Sequence, residues 1–192
     1  MSAAQIRGYS IRQQASFLRS KHIDEAARQR ALAMLPPELR GDFSDIDPAG
    51  WYPREHSAQL FRAIASAASG EAATRELLAT CGEQIAQEST NTFLKLVMKL
   101  MTPTLFAKKL PSLWERDMKG GGFTYDLSGA DQNRLAFVLQ DVEGYDHIAA
   151  VTEGWIRFAM KSMGKTGVEV DMKGWSLAVP GPKEVAYEVR WA

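Results

Sequence analysis

Few residues in this chain have the types and spacing that chemistry requires. The histidines, His22, His56 and His147, fall on separate predicted elements, and no two are spaced to share a helix face. A zinc site takes three or four Cys, His or carboxylate ligands, and the spacing assembles no such set. The single Cys81 lies on an apolar helical stripe with Leu77 and Ile85. There a cysteine acts as a small hydrophobe, not as the exposed, acidified thiol that nucleophilic chemistry needs. Gly164-Lys165-Thr166 copies the end of a phosphate-binding loop, but Ala159 stands where the first glycine belongs. That loop also lies between a strand and a helix, and here the predicted order is helix then strand. Gly120-Gly121-Gly122 likewise precedes a strand, so it is not a dinucleotide fingerprint. No serine sits in a G-x-S-x-G elbow, and Asp45 and Asp47 belong to a stretch of turn formers. No catalytic or metal role is assigned, no motif calls for a cofactor, and the chain reads as non-enzymatic.

Two other groupings suggest binding. Phe93, Val97, Met101, Phe106 and Trp114 are candidates for an apolar pocket, the kind of lining that small-ligand sites use. Lys95, Lys99, Lys108 and Lys109, with Arg116 and Lys119, outnumber Glu115 and Asp117 in the same segment. Such a basic face attracts an anionic ligand, an acidic partner or a membrane surface, unless it is simply solvated.

The elements that must position these residues change character along the chain. Residues 10–20 and 24–35 read as helices, the second with Asp24 as its cap and Pro36-Pro37 as its stop. Residues 38–52 are turn-rich, and Pro53 suits the first turn of a helix reaching about Ala68. Residues 71–88 place Ala73, Leu77, Cys81 and Ile85 at four-residue spacing. The next segment, 89–101, carries a wide apolar arc that includes Leu100 and reads as a central buried helix. Thr102-Pro103 closes it, and a helix over 104–119, bent near Pro111, follows. After the glycine run the period changes from 3.6 to 2. Phe123, Tyr125 and Leu127 alternate, then Leu135, Phe137 and Leu139, with a turn over 128–133. Residues 146–163 return to a helical stripe of Ile148, Thr152, Trp155, Ala159 and Met163. Val168, Val170 and Met172 alternate again, with Trp175, Leu177 and Val179 as a bulged continuation. Val185, Tyr187, Val189 and Trp191 form the last strand. The expected fold is α+β: a helical part over 1–119, then a ββαββ unit over 120–192 whose mainly antiparallel four-stranded sheet packs on helices. The two parts form one domain of 192 residues.

Lys plus Arg equals Asp plus Glu at 23 each, which gives no basic footprint for nucleic acid. The lone cysteine fits a reducing, cytoplasmic compartment. The start, Met1 to Gly8, has no secretory apolar run, and the most apolar segment, 93–101, is broken by Lys95 and Lys99, well short of the ~20 residues that span a bilayer.

Trp51-Tyr52-Pro53, Leu78 to Gly82, the Asn91 to Pro103 helix, Leu113-Trp114 before the glycine turn, and Tyr187-Glu188-Val189-Arg190-Trp191 carry a resemblance. On these motifs, over residues 10–191, the chain resembles an uncharacterised bacterial paralogous family of similar length. More distantly it resembles the ligand-binding superfamily of heme–nitric-oxide-binding domains, 4-vinyl-reductase-type domains and TRAPP tethering subunits. The resemblance implies a pocket between helices and sheet, used for sensing or for protein contacts. It does not imply heme. That branch resembles a pattern with an axial histidine ahead of Tyr-x-Ser-x-Arg, whereas here no histidine lies between His56 and His147, and Tyr125-Asp126-Leu127-Ser128-Gly129 lacks the arginine. One cysteine cannot supply the metal sites of the vinyl-reductase branch. The expected function is a regulatory or sensory domain that binds a small apolar or anionic ligand or a protein partner. The alternative is a dimeric interaction module with no small ligand.

Overall fold

The computed structural model describes residues 4–41, 43–90, 97–145, 147–177 and 182–192. The chain begins with Gln5–Arg7 (β1), which pairs antiparallel with both Trp51–Pro53 (β2) and Met118–Lys119 (β3). Ile6 lies opposite Tyr52 on one side and Met118 on the other. None of these strands is legible as alternation, because two or three residues show no period. Pro53 closes β2 and stands at the cap of the following helix, not inside its first turn.

Helices follow in the expected sequence with adjusted ends: α1 (Gly8–Leu18), α2 (Glu25–Met34), α3 (Arg54–Ala65), α4 (Glu71–Ser89) and α5 (Pro103–Asp117). The Asp24 carboxylate accepts from Ala27 N–H at 2.8 Å, as a cap should. Thr102 does the same for Leu105 at 3.2 Å, and Pro111 is carried inside α5. Of the expected central helix, Phe93 and Lys95 lie outside the described residues. Residues 97–100 are helical, with Met98 buried. Leu100 is 82% exposed, which removes it from the expected apolar arc.

A second sheet, order β4-β5-β7-β6, is built from Gly122–Asp126 (β4), Arg134–Gln140 (β5), Glu169–Lys173 (β6) and Glu184–Arg190 (β7), all antiparallel. Ile148–Ser162 (α6) separates the two hairpins and completes the ββαββ order. Leu135, Phe137 and Leu139 of β5 face Val189, Tyr187 and Val185 of β7, and all six are buried. Arg134, Glu184, Glu188 and Arg190 occupy the other face, so the sheet is apolar on one side only. Trp175 and Leu177 do not continue β6, and Val179 lies outside the described residues. The strand ends at Lys173, where Gly174 takes a φ of 89° that breaks the extended run.

The closest helix pairing sets α4 against α6. A Cβ on Gly82 would lie 1.9 Å from the Val151 carbonyl oxygen, and one on Gly154 would lie 1.8 Å from that of Ala79. Small residues therefore choose the inward face of α4. Thr74, Leu78, Ala79, Cys81, Gly82 and Ala86 are buried. The expected stripe is corrected accordingly: Ala73 is exposed and Leu77 and Ile85 are only half-buried. Beside the crossing, the fully buried Glu153 carboxylate accepts from Arg75 at 2.7 Å and from Arg157. Arg157 also reaches Glu76 at 3.0 Å. A buried charge is tolerable when it is paired and hydrogen-bonded in this way.

Gly82→Ala and Gly154→Ala are each expected to cost about 3 kcal/mol, at the upper end for overpacking. Urea melts measure this, and a loss under about 1 kcal/mol for both would mean that the helices move apart freely.

Candidate functional site

Where the small sheet, α1, α5 and α6 converge, they leave a pocket of about 120 Å³. Ile6 enters it from β1, Leu110 and Trp114 from α5, and Val151 and Trp155 from α6. Each position follows from helical phase. Leu110, Leu113 and Trp114 are three and four apart on α5, as are Ile148, Val151, Thr152 and Trp155 on α6, so each set shares one face. Trp114 is held by an edge-on contact with Phe123 at 5.3 Å and by an indole N–H donated to the Gly120 carbonyl at 3.3 Å.

Of the five residues expected to line a pocket, Trp114 does so. Phe106 stands behind the wall, 1% exposed, stacked on Trp155 at 5.8 Å and edge-on to Phe137 at 6.2 Å. Val97 and Met101 are half-buried and are not in the lining among the described residues. On the basic face, Lys99, Lys108 and Lys109 are exposed, with Leu105 exposed between them in sequence. Arg116 is tied to Asp117 at 2.7 Å. Arg7 and Lys119 both lie over the Trp51 ring, at 4.0 and 4.3 Å.

The polar part of the lining consists of Ser10 and Gln14 from α1, Asp117, Tyr145 and Thr152. The Tyr145 hydroxyl shares a hydrogen bond with Ser57, and burial pushes its ionisation far above the usual tyrosine range. Next to the pocket, burial and then a hydrogen bond to Asp117 push Tyr9 up to about 12. Gln14 is 2% exposed, and its Oε1 is buried with no hydrogen-bond donor. Sequence reasoning missed this residue. The signal was a glutamine in phase with Ile11, Ala15 and Leu18, which all lie buried on α1.

Metal-ligand chemistry finds no centre among the described residues, where no three His, Cys, Asp or Glu side chains cluster. His22 stacks on Phe17 at 5.5 Å, His56 is on α3, and His147 caps α6. None of them lines the pocket. Cys81 is fully buried, and desolvation followed by the nearby Glu88 charge pushes its thiol well above the usual value. It is not a thiolate at neutral pH. Gly164-Lys165-Thr166 is the turn from α6 toward β6. No described helix is long and apolar enough to cross a membrane.

No family model and no curated protein matches the chain. Solved structures do. An Fe(II) unliganded H-NOX protein from K. algicida aligns with a TM-score of 0.71 at 11% identity, covering 97% of each chain. A mutant H-NOX of T. tengcongensis aligns at 0.54 with 10% identity, again over 97% of each chain. A structure reported for heme redox potential and porphyrin distortion aligns at 0.61 with 8% identity, over 96% of this chain and 99% of that one. The chain therefore has the H-NOX fold, in agreement with the superfamily its motifs resemble.

Trp155→Ala is expected to cost about 3 kcal/mol, the lower end for a packed indole, because the ring is half-buried and stacks on Phe106. A denaturant melt reads this, and a loss below about 1 kcal/mol would show that the indole does not hold α5 to α6.

Proposed function

We propose that this chain is a non-enzymatic sensory domain that takes a small, mainly apolar ligand in place of heme. The observation that carries the reading is the pocket of about 120 Å³ between α1, α5 and α6, walled by Leu110, Trp114, Val151 and Trp155. The shared fold supports it, because the structural neighbours include H-NOX proteins and a structure reported for heme redox potential.

Heme itself does not fit the residues present. Heme iron is held by histidine, cysteine thiolate, tyrosine, or methionine together with histidine. None of the three histidines, nor Cys81, is in the lining. Tyr145 is in it, but its hydroxyl is bound to Ser57 and burial keeps the proton on. Met118 is in it too, without a histidine partner. The volume is also below the roughly 300 Å³ at which drug-sized ligands begin, and a porphyrin is larger still.

A ligand here would press on α5, because α6 is clamped to α4 by the glycine crossing. α5 runs directly into β3, so the small sheet is the element that reports occupancy. The buried free thiol of Cys81 suits a cytoplasmic setting. A second reading, contact with an acidic partner or a second copy, is favoured by the exposed Leu100 and Leu105 beside Lys99, Lys108 and Lys109.

Native mass spectrometry of the purified protein, with a denatured control and an absorption spectrum, tests the first reading. The expected result is a small mass excess lost on denaturation, or binding of small apolar probes in a thermal-shift screen, with no porphyrin band. Leu110→Trp should fill the pocket and abolish that binding while the circular dichroism stays native. Stoichiometric heme uptake, or binding unaffected by Leu110→Trp, would overturn the reading. The second reading expects light scattering to show a complex that Lys108→Glu with Lys109→Glu dissolves; a strict monomer at high concentration, with no partner captured, sinks it.

A further inference from the structure

The described lining is mainly apolar, and among its polar members Ser10, Gln14, Asp117, Tyr145 and Thr152, Gln14 carries a buried atom with no partner. Gln14 belongs to the lining, and its buried Oε1 accepts no hydrogen bond. A buried acceptor without a donor is costly, and native structures leave few of them. Three of the other polar lining groups are engaged: Asp117 with Arg116 at 2.7 Å, Tyr145 with Ser57, and Thr152 with Tyr187. The terminal torsion of Gln14 is a broad sp³–sp² well, so its carboxamide can present the oxygen to a donor in the cavity.

We propose that Gln14 is the anchor of the pocket and that its natural ligand is a small neutral molecule with an apolar body and one O–H or N–H donor. This rests on the sensory reading above and specifies the ligand's chemistry. Size sets the body: a cavity of about 150 Å³ accepts benzene, and this one is about 120 Å³. Neutrality follows from the walls. Asp117 is the one charged side chain in the described lining and is already paired with Arg116, so a charged ligand would be buried without a partner. Water is a poor occupant, because an ordered buried water needs roughly two to four polar partners, and most of the wall is aliphatic or aromatic.

Phenol and toluene, equal in shape and different in the donor, are the probes. Calorimetric titration of the full chain is expected to show phenol binding about tenfold more tightly than toluene, the worth of one hydrogen bond to a buried acceptor. Gln14→Met keeps the volume and removes the acceptor. It should bind toluene at least as well as the parent and lose the preference for phenol. Equal affinities in the parent chain, or a preference that survives Gln14→Met, would overturn the anchor while leaving the pocket reading intact. If neither probe binds the parent chain, the pocket reading falls and the anchor falls with it. The phenol–toluene ratio in the parent chain decides the matter even where Gln14→Met does not fold.

Discussion

The absence of side chains at Gly82 and Gly154 lets α4 and α6 touch backbone to backbone, and the positions of the other layers follow from that contact. With α6 fixed on one side by α4, its remaining faces are committed. Ile148, Thr152 and Trp155 turn toward the pocket, and Tyr187 on β7 donates its hydroxyl to the Ala149 carbonyl at 3.0 Å. The Arg75–Glu153–Arg157 group closes the rim of the crossing, and Arg75 also donates to the Val170 carbonyl of β6 at 3.3 Å. Helix pair and sheet edge are thus joined through one buried carboxylate. Such an arrangement specifies a single register more than it adds stability, because desolvating the charges offsets much of their attraction.

Pattern made the second half of the fold legible. The period-2 runs at Leu135-Phe137-Leu139 and Val185-Tyr187-Val189 correspond to the two central strands, and the stripe from Ile148 to Met163 to α6. Their signals are strong because each buries one face along its full length. The small sheet of β1, β2 and β3 was silent, since its strands are too short for any period and are defined by partners far away in sequence. The inward face of α4 was misread for a different reason. Hydrophobic spacing rewards large residues, while a backbone-close crossing rewards their absence, and Gly82 carries no hydrophobic signal at all. Of the residues expected at a pocket, Trp114 is in the lining, and Phe106 stands one layer behind it. Gln14 was overlooked because a glutamine among Ile11, Ala15 and Leu18 looks like an interruption of a stripe when it is part of a wall.

The H-NOX fold here carries a pocket whose described lining holds no histidine and no cysteine. Architecture here is set by the helix crossing, the one-sided sheet and the glycine turn. Ligand identity is set by a handful of side chains on α1, α5 and α6, and these can change while the frame persists. Leu110, Leu113 and Trp114 fill space that a larger group would need. The pocket between them holds about 120 Å³.

β1 occupies the middle of the small sheet, and one of its neighbours, β3, is contributed by Met118–Lys119. During synthesis the first strand leaves the ribosome early and stays unpaired on that edge until more than half of the chain has followed. Its register therefore belongs to a late folding event with a large loop to close, which is the slow kind. Until that closure, Ile6 lacks its strand partner Met118 on that side, and an unpaired strand edge is where misassembly with other chains starts.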